Sequence, residues 1–267
     1  MTVSVSPPRR RVDERRRAQR EAECRRRRVW LFDLDNTLHD ASHAAFGPTN
    51  RAMNDYIVAH LGIGDDAAAD LRRHYWSRYG ATLLGLVRHH GVQAAHFLEA
   101  THRHPDLESQ LRASLHDRAA LKRLSGRKYV VTNAPRGYTL RVLRALRLTG
   151  CFDGVVSIED MTMFGELRPK PDARMLARLA VRLKARTSDC VLVEDVLENQ
   201  RSAHRIGMRT AWMQRYLAGR FRGHLRMGAA GGANNGYFPR EVGVHPCPNP
   251  RYVYAKIKSL RQLLTLR

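Results

Sequence analysis

The chain is predicted to fold as an α/β protein, a doubly wound parallel sheet with a helical cap inserted after the first strand. Three observations predict it. Short apolar runs rich in β-formers recur along the chain, the first at Val29–Phe32. The segments between the later runs carry apolar residues at helical spacing, and strands alternating with helices pack as a mainly parallel sheet covered on both faces. Residues 41–105, between the first run and the second, hold helical patterns and no strand pattern.

In order, residues 1–28 have no apolar periodicity and are read as a basic, disordered or frayed extension. The first strand ends in Asp33-Leu34-Asp35-Asn36-Thr37-Leu38. In the insertion, Asn50–Leu61 presents Met53, Ile57 and Leu61 at helical spacing, and Ala67–His90 continues with Leu71, Tyr75, Tyr79, Leu83 and Leu86. Leu107–Leu124 reads as one helix closed by Ser125-Gly126, followed by a strand at Lys128–Asn133. A helix at Tyr138–Leu148 and a strand at Phe152–Ile158 lead to a loop ending in Arg168-Pro169-Lys170-Pro171, whose prolines stiffen the backbone on each side of Lys170. Then come a helix at Asp172–Ala185, a strand at Cys190–Asp195, a helix at Leu197–Ile206 stopped by Gly207, and a strand at Thr210–Met213. Gly228–Gly236 reads as a flexible loop, and Tyr252–Leu266 as a short strand or helix. The expected organisation is a core of residues 29–40 and 106–217, a cap of residues 41–105, and a basic, Gly-rich C-terminal extension of residues 218–267.

Composition bounds the alternatives. At 267 residues and 43% hydrophobic content the chain can bury a full core. No apolar run approaches the roughly 20 residues that cross a bilayer, and no apolar stretch follows the Arg-rich start, so a cytoplasmic protein without membrane contact is expected. Cys24, Cys151, Cys190 and Cys247 form no C-x-x-C pair, which fits reduced thiols. The formal charge of +22 gathers at the ends, with eleven Arg against four acids in residues 1–28. Such ends are read as solvated tails able to make nonspecific polyanion contact, and a nucleic-acid-binding protein on an idle fold is the reading from another class.

The chemistry lies at the strand ends. A parallel sheet delivers Asp33, Asp35, Thr132, Asn133, Glu194 and Asp195 to one rim, and a loop brings Lys170. Four acids together call for a cation, and hard carboxylate oxygens with few protein ligands suit Mg²⁺ beside a substrate phosphate. Asp33 is then placed to attack phosphorus, and Asp35 to protonate the leaving oxygen and later deprotonate water. His89-His90 and His102-x-His104 are read as surface or packing residues, since no paired Cys accompanies them.

Asp33-Leu34-Asp35-Asn36-Thr37, Thr132-Asn133, Lys170 within Arg-Pro-Lys-Pro, and Glu194-Asp195 with Asn199 resemble, in order and spacing, the four motifs of the haloacid dehalogenase-like (HAD) superfamily, subfamily I. Within it, His74-Tyr75-Trp76-Ser77-Arg78-Tyr79-Gly80 with Gly85-Leu86-Val87 and Phe152-Asp153-Gly154 is most similar to the pyrimidine 5′-nucleotidases of fungi and bacteria. The resemblance implies a Mg²⁺-dependent phosphomonoesterase acting on UMP- and CMP-type nucleoside monophosphates through an aspartyl phosphate. It makes Asp33 the nucleophile and Asp35 the general acid and base. Thr132, Asn133 and Lys170 would bind the phosphate, and Asp33, the Asp35 carbonyl and Asp195, with Glu194 nearby, would hold the metal. Val196 departs from the pattern, since many relatives carry Ser or Thr there. A phosphatase for another small phosphate, such as a sugar phosphate, is the runner-up; a dehalogenase needs no acid at the Asp35 position. Base recognition is expected from the cap, with Tyr79 and Arg88 as the candidate contacts.

Overall fold

The structure, a computed structural model, describes Glu23, residues 27–217 and residues 250–266. The expected disorder of most of residues 1–28 and the Gly228–Gly236 loop fall outside the described residues.

Six parallel strands form one sheet: β1 (Val29–Phe32), β2 (Arg127–Val131), β3 (Gly154–Val156), β6 (Cys190–Glu194), β7 (Arg209–Met213) and β8 (Ala255–Ile257), in the order β3-β2-β1-β6-β7-β8. β1 lies between β2 and β6, paired in parallel with both, so the chain departs to opposite sides of it. A crevice opens at such a switch point, beyond the carboxyl ends of the strands. The apolar residues of β1 explain its central place. Trp30 and Phe32 enter the core on one face, packed with Leu121 of α7 (Leu115–Arg123) and Val142 of α8 (Arg136–Ala145). Val29 and Leu31 enter the other, with Met175, Leu176 and Leu179 of α9 (Ala173–Arg182) and Ala203 of α10 (Leu197–Arg205). A strand buried on both faces has no polar side, which is why it reads as a continuous apolar run.

The cap consists of α1 (Ala41–Ala44), α2 (Phe46–Leu61), α3 (Asp65–Tyr79), α4 (Thr82–His90) and α5 (Ala94–Thr101). Its own apolar cluster, including Ile57, Leu86 and Phe97, also takes in Ile158 from the core. The single helix expected over Ala67–His90 is broken at Gly80, which caps α3 with φ of 81°. A Cβ at that position would sit 2.8 Å from Cδ of Pro171, so a side chain is excluded by backbone conformation and by space alike.

Three further expectations are corrected. Leu107–Leu124 is not one helix: α6 (Leu107–Gln110) ends at the extended Leu111, and the Ser114 hydroxyl accepts a hydrogen bond from the Asp117 N–H to start α7 afresh. The loop before Arg168 contains a hairpin, β4 (Thr162–Met163) with β5 (Glu166–Leu167), turning through Phe164 and Gly165, both at positive φ. The C-terminal segment is not wholly an extension from the core. β8 extends the sheet beside β7, and Ile257, Leu260 and Leu263 are buried in the main core cluster, because apolar residues at this spacing cover its otherwise open edge.

The close packing of α3 on α4 generates a test. A Cβ on Gly85 would fall among the ring atoms of Tyr75, whereas one on Gly137 in α8 would meet nothing. Gly85→Ala is expected to cost about 1–3 kcal/mol through overpacking, and Gly137→Ala to be neutral or to stabilise by up to about 1 kcal/mol through helix propensity. Thermal unfolding reads both, and equal melting temperatures for the two variants would contradict this packing.

Candidate active site

The site begins with register. Phe32 is level with Val193, and the Asp33 N–H donates to the Val193 carbonyl at 2.9 Å, so Asp33 and Glu194 leave the sheet side by side. On the other flank, the Thr132 N–H donates to the Val156 carbonyl at 3.0 Å, which sets Thr132 at the same rim. Lys170 reaches in from its loop. Its Nζ donates to Asp33 Oδ1 at 2.6 Å and to Glu194 Oε2 at 2.8 Å, and the side chain is only 1% exposed.

Glu194 is held in turn by the Asp195 and Val196 N–H groups, which donate to its Oε1, while the Trp212 indole donates to the Asp195 carbonyl at 3.0 Å. Carboxylate oxygens of Asp33, Glu194 and Asp195 all lie within 4.8 Å of one another. Burial and the nearby Glu194 push the Asp33 carboxyl up to about 8, against the downward pull of the Lys170 ammonium. Burial opposes charge on Lys170, yet Asp33 and Glu194 raise its pKa above the usual value. With all three carboxyls ionised around one ammonium, two negative charges would be uncompensated in a buried rim, which is why Asp33 retains its proton up to about 8 without a further cation. That donor set, hard oxygens carrying a surplus of two charges, fits one divalent cation of the Mg²⁺ type.

Asp35 stands apart from this group. Asn36 adopts a left-handed φ of 56°, which asparagine tolerates, and its Oδ1 accepts from the N–H and hydroxyl of Ser42, so the chain turns sharply after β1. The Asp35 carboxylate is thereby aimed away from Lys170. Its Oδ1 accepts from Tyr138 Oη and pairs with His39 Nε2, both at 2.9 Å. Burial pushes the Asp35 carboxyl up, but the contacts with His39 and Tyr138 outweigh it and hold it below the ordinary value. Two acids two residues apart therefore occupy opposite electrostatic settings, one raised and one lowered.

Thr132 lines the cavity above this rim, and its Oγ1 accepts from the Ala134 N–H, leaving the hydroxyl hydrogen to donate. Asn133 also lines the cavity, and its side chain has a structural task there. Its amide donates to the Lys170 carbonyl at 2.8 Å and accepts from the Lys170 N–H at 3.0 Å, so it fixes the lysine's backbone. The cavity, about 390 Å³, runs from the four acids up into the cap and includes Tyr79. Arg88 is corrected: it is exposed on the side of α4 opposite the buried Leu83 and Leu86, and it is not among the residues lining the cavity. His102 lines the cavity as a neutral ring, burial taking it down to about 4, and accepts no role as a cation there. The residues that sequence reasoning passed over are His39, Tyr138, Arg72 and Asn50. Only His39, four residues after Asp35, carried a local signal.

The raised Asp33 has a consequence for stability. Its folded value of about 8 exceeds the unfolded 3.8, so its contribution is full below pH 3.8 and is lost as pH rises through 8. Protein kept metal-free by chelator is expected to lose about 2 kcal/mol between about pH 6 and 8, and added Mg²⁺ to restore it by binding the carboxylate form. Thermal melts across that range check this; a metal-free stability that is flat or rising would oppose it.

Comparison with known proteins places these strands in a family. Residues 30–213 match the model of the haloacid dehalogenase-like hydrolases. Phosphate metabolism protein 8 of Saccharomyces cerevisiae is 26% identical over 196 residues, 68% of this chain, and the chain spans 60% of that relative's length. Among solved structures, a HAD phosphatase from Thermococcus onnurineus has a TM-score of 0.53 at 17% identity, over 88% of this chain and 95% of the other. CbbY from Rhodobacter sphaeroides in complex with phosphate also gives 0.53, at 19% identity and the same coverage. At such identity these structures speak for the fold alone. The family model takes in every strand that carries the site, and the chain belongs to the haloacid dehalogenase-like hydrolases.

Proposed function

We propose that this hydrolase is a Mg²⁺-dependent phosphomonoesterase whose preferred substrates are pyrimidine nucleoside monophosphates, UMP and CMP. The observation that carries the reaction type is the split between the two aspartates: Asp33 in the ammonium and carboxylate cluster, Asp35 outside it on His39 and Tyr138. Asp33 has Oδ1 on Lys170, which leaves Oδ2 to attack phosphorus and form an aspartyl phosphate with release of the alcohol. Asp35, with Oδ1 similarly occupied, has Oδ2 for the proton. Asp35 is a carboxylate before substrate arrives, and the negative charge of an incoming phosphate beside it would raise its pKa so that it takes a proton with the substrate. It gives that proton to the departing alkoxide, then takes the proton of the water that hydrolyses the aspartyl phosphate. Lys170 and the Thr132 hydroxyl supply positive charge and a donor to the phosphoryl oxygens. Mg²⁺ held by Asp33, Asp195 and the Asp35 carbonyl, with Glu194 close by, would neutralise phosphoryl charge and orient the attack.

The nucleotide preference has separate support. Trp76–Gly80, part of the His74–Gly80 segment that resembles the pyrimidine 5′-nucleotidases, lines the cavity above the acids. The curated relative of 26% identity carries phosphate metabolism in its name, and a neighbour of the same fold has been seen with phosphate; both support phosphate as the group handled and neither bears on the base.

A screen of nucleoside and sugar monophosphates tests the reading, with release of inorganic phosphate as the measurement. Chelation is expected to abolish turnover and Mg²⁺ to restore it. Asp33→Asn should lower kcat by about three orders of magnitude or more; activity within tenfold of the parent, or full activity in chelator, would end this reading.

Tyr138→Phe gives an independent check on Asp35. An acid matters most when the leaving group is a poor one, so kcat for UMP should fall about tenfold or more, and that for 4-nitrophenyl phosphate much less. Equal losses on both esters would make Tyr138 a packing residue.

A further inference from the structure

Deep in the cap, Arg72 of α3 is 6% exposed and lines the same cavity as Asp33 and Asp35. Two neutral amides of α2 orient it: Nε donates to Asn54 Oδ1 at 2.9 Å and Nη1 to Asn50 Oδ1 at 3.0 Å. The second bond also fixes the Asn50 amide, since exchanging its oxygen and nitrogen would set donor against donor. Asn50 Nδ2 is then directed elsewhere. It is buried with no hydrogen-bond partner among the described residues, although Asn50 too lines the cavity. An amide N–H buried unpaired costs about 1–3 kcal/mol, and a guanidinium fork braced by amides presents donors in a fixed plane. Around the pair, the walls of the cavity are apolar, with Phe46, Met53, Trp76 and Phe97. A flat or compact group held there would meet donors on one side and hydrocarbon on the others.

We propose that Arg72 and Asn50 are the specificity-determining pair of the cap, a donor-only site that selects substrates bearing an acceptor oxygen on the portion remote from the phosphate. On the phosphomonoesterase reading, on which this rests, that oxygen is a pyrimidine carbonyl or an anionic oxygen of a second phosphate. Both present lone pairs and no proton to the pair. A substrate without such an oxygen leaves the Asn50 donor buried and unpaired, and it is disfavoured for that reason.

The test compares UMP, a pentose bisphosphate and phenyl phosphate, the last having no remote acceptor oxygen, in the full-length protein with Mg²⁺. Asn50→Asp replaces the donor by a carboxylate of the same shape, and Asn50→Ala removes it without adding charge. In both, the kcat/KM ratio of the preferred acceptor-bearing substrate over phenyl phosphate should fall tenfold or more. Arg72→Lys, which keeps the charge and loses the fork, should lower the same ratio. A fall confined to UMP identifies the base carbonyl, and one confined to the bisphosphate identifies the second phosphate. A ratio unchanged within twofold, whether the activities drop together or stay level, would overturn the pair's role. Phenyl phosphate turnover reports separately on the core, so its absence in the parent protein would count against the phosphomonoesterase reading. Calorimetric titration of UMP and of the bisphosphate in chelator does not depend on turnover. Weakening of either by tenfold in Asn50→Asp and Asn50→Ala would support the pair, and unchanged binding of both would overturn it.

Discussion

The buried ammonium of Lys170 is the interaction on which the rest of this structure depends. A lysine at 1% exposure is tolerable only with charged partners, and Asp33 and Glu194 provide them at 2.6 and 2.8 Å. Removing either would leave a buried charge partly unmatched, so neither acid is free to vary for packing reasons alone. The requirement propagates outward. Asn133 holds both backbone groups of Lys170, and Gly80 of the cap touches Pro171 beside it. The loop that carries the ammonium is thus clamped by the sheet rim on one side and the cap on the other.

One cation does not balance the rim, however, and that surplus of negative charge turns a structural ion pair into a reactive site. If Asp33, Glu194 and Lys170 alone were present, the cluster would carry a single excess charge and could be read as a buried network. Asp195, with oxygens within 4.8 Å of the others, makes a divalent ion the natural complement. The turn at Asn36 then keeps Asp35 out of the cluster. Were Asp35 aimed inward as well, its charge would be taken up by the same cations. It could not serve proton transfer at the other face of the substrate.

Much of this was legible in the chain, for physical reasons that differ by element. β1 and β6 announce themselves because strands buried on both faces are apolar throughout, and each ends in acids that packing does not explain. The role of Asn133 was not legible. An amide at a strand end looks the same whether it faces a ligand or the peptide of a residue 37 positions away. Tyr138 was hidden by a separation of 103 residues from Asp35. Arg88 is suggested by the resemblance of its segment to the pyrimidine nucleotidases, and only packing shows that it is exposed while Arg72, one helix earlier, lines the cavity. A short strand or helix over Tyr252–Leu266 was legible, but its place in the sheet was not, because three residues give too short a pattern to show which strand they pair with.

The division between what could and could not be read follows the division of labour in the molecule. Chemistry at the rim uses backbone positions set by strand register, so its residues recur in short, ordered motifs. Selection in the cap uses side chains brought together from α2 and α3, across 22 residues in the Asn50–Arg72 pair, and no local motif encodes that meeting. The two halves are nonetheless joined at one point. α3, which carries Arg72 and Trp76, ends at Gly80 against the Lys170 loop, at an approach that admits no side chain. On the proposed reading, the helix that would meet the variable part of a substrate is registered directly on the loop that would meet its phosphate. The span between those two contacts, a fixed length of helix, sets the length of substrate that can satisfy both.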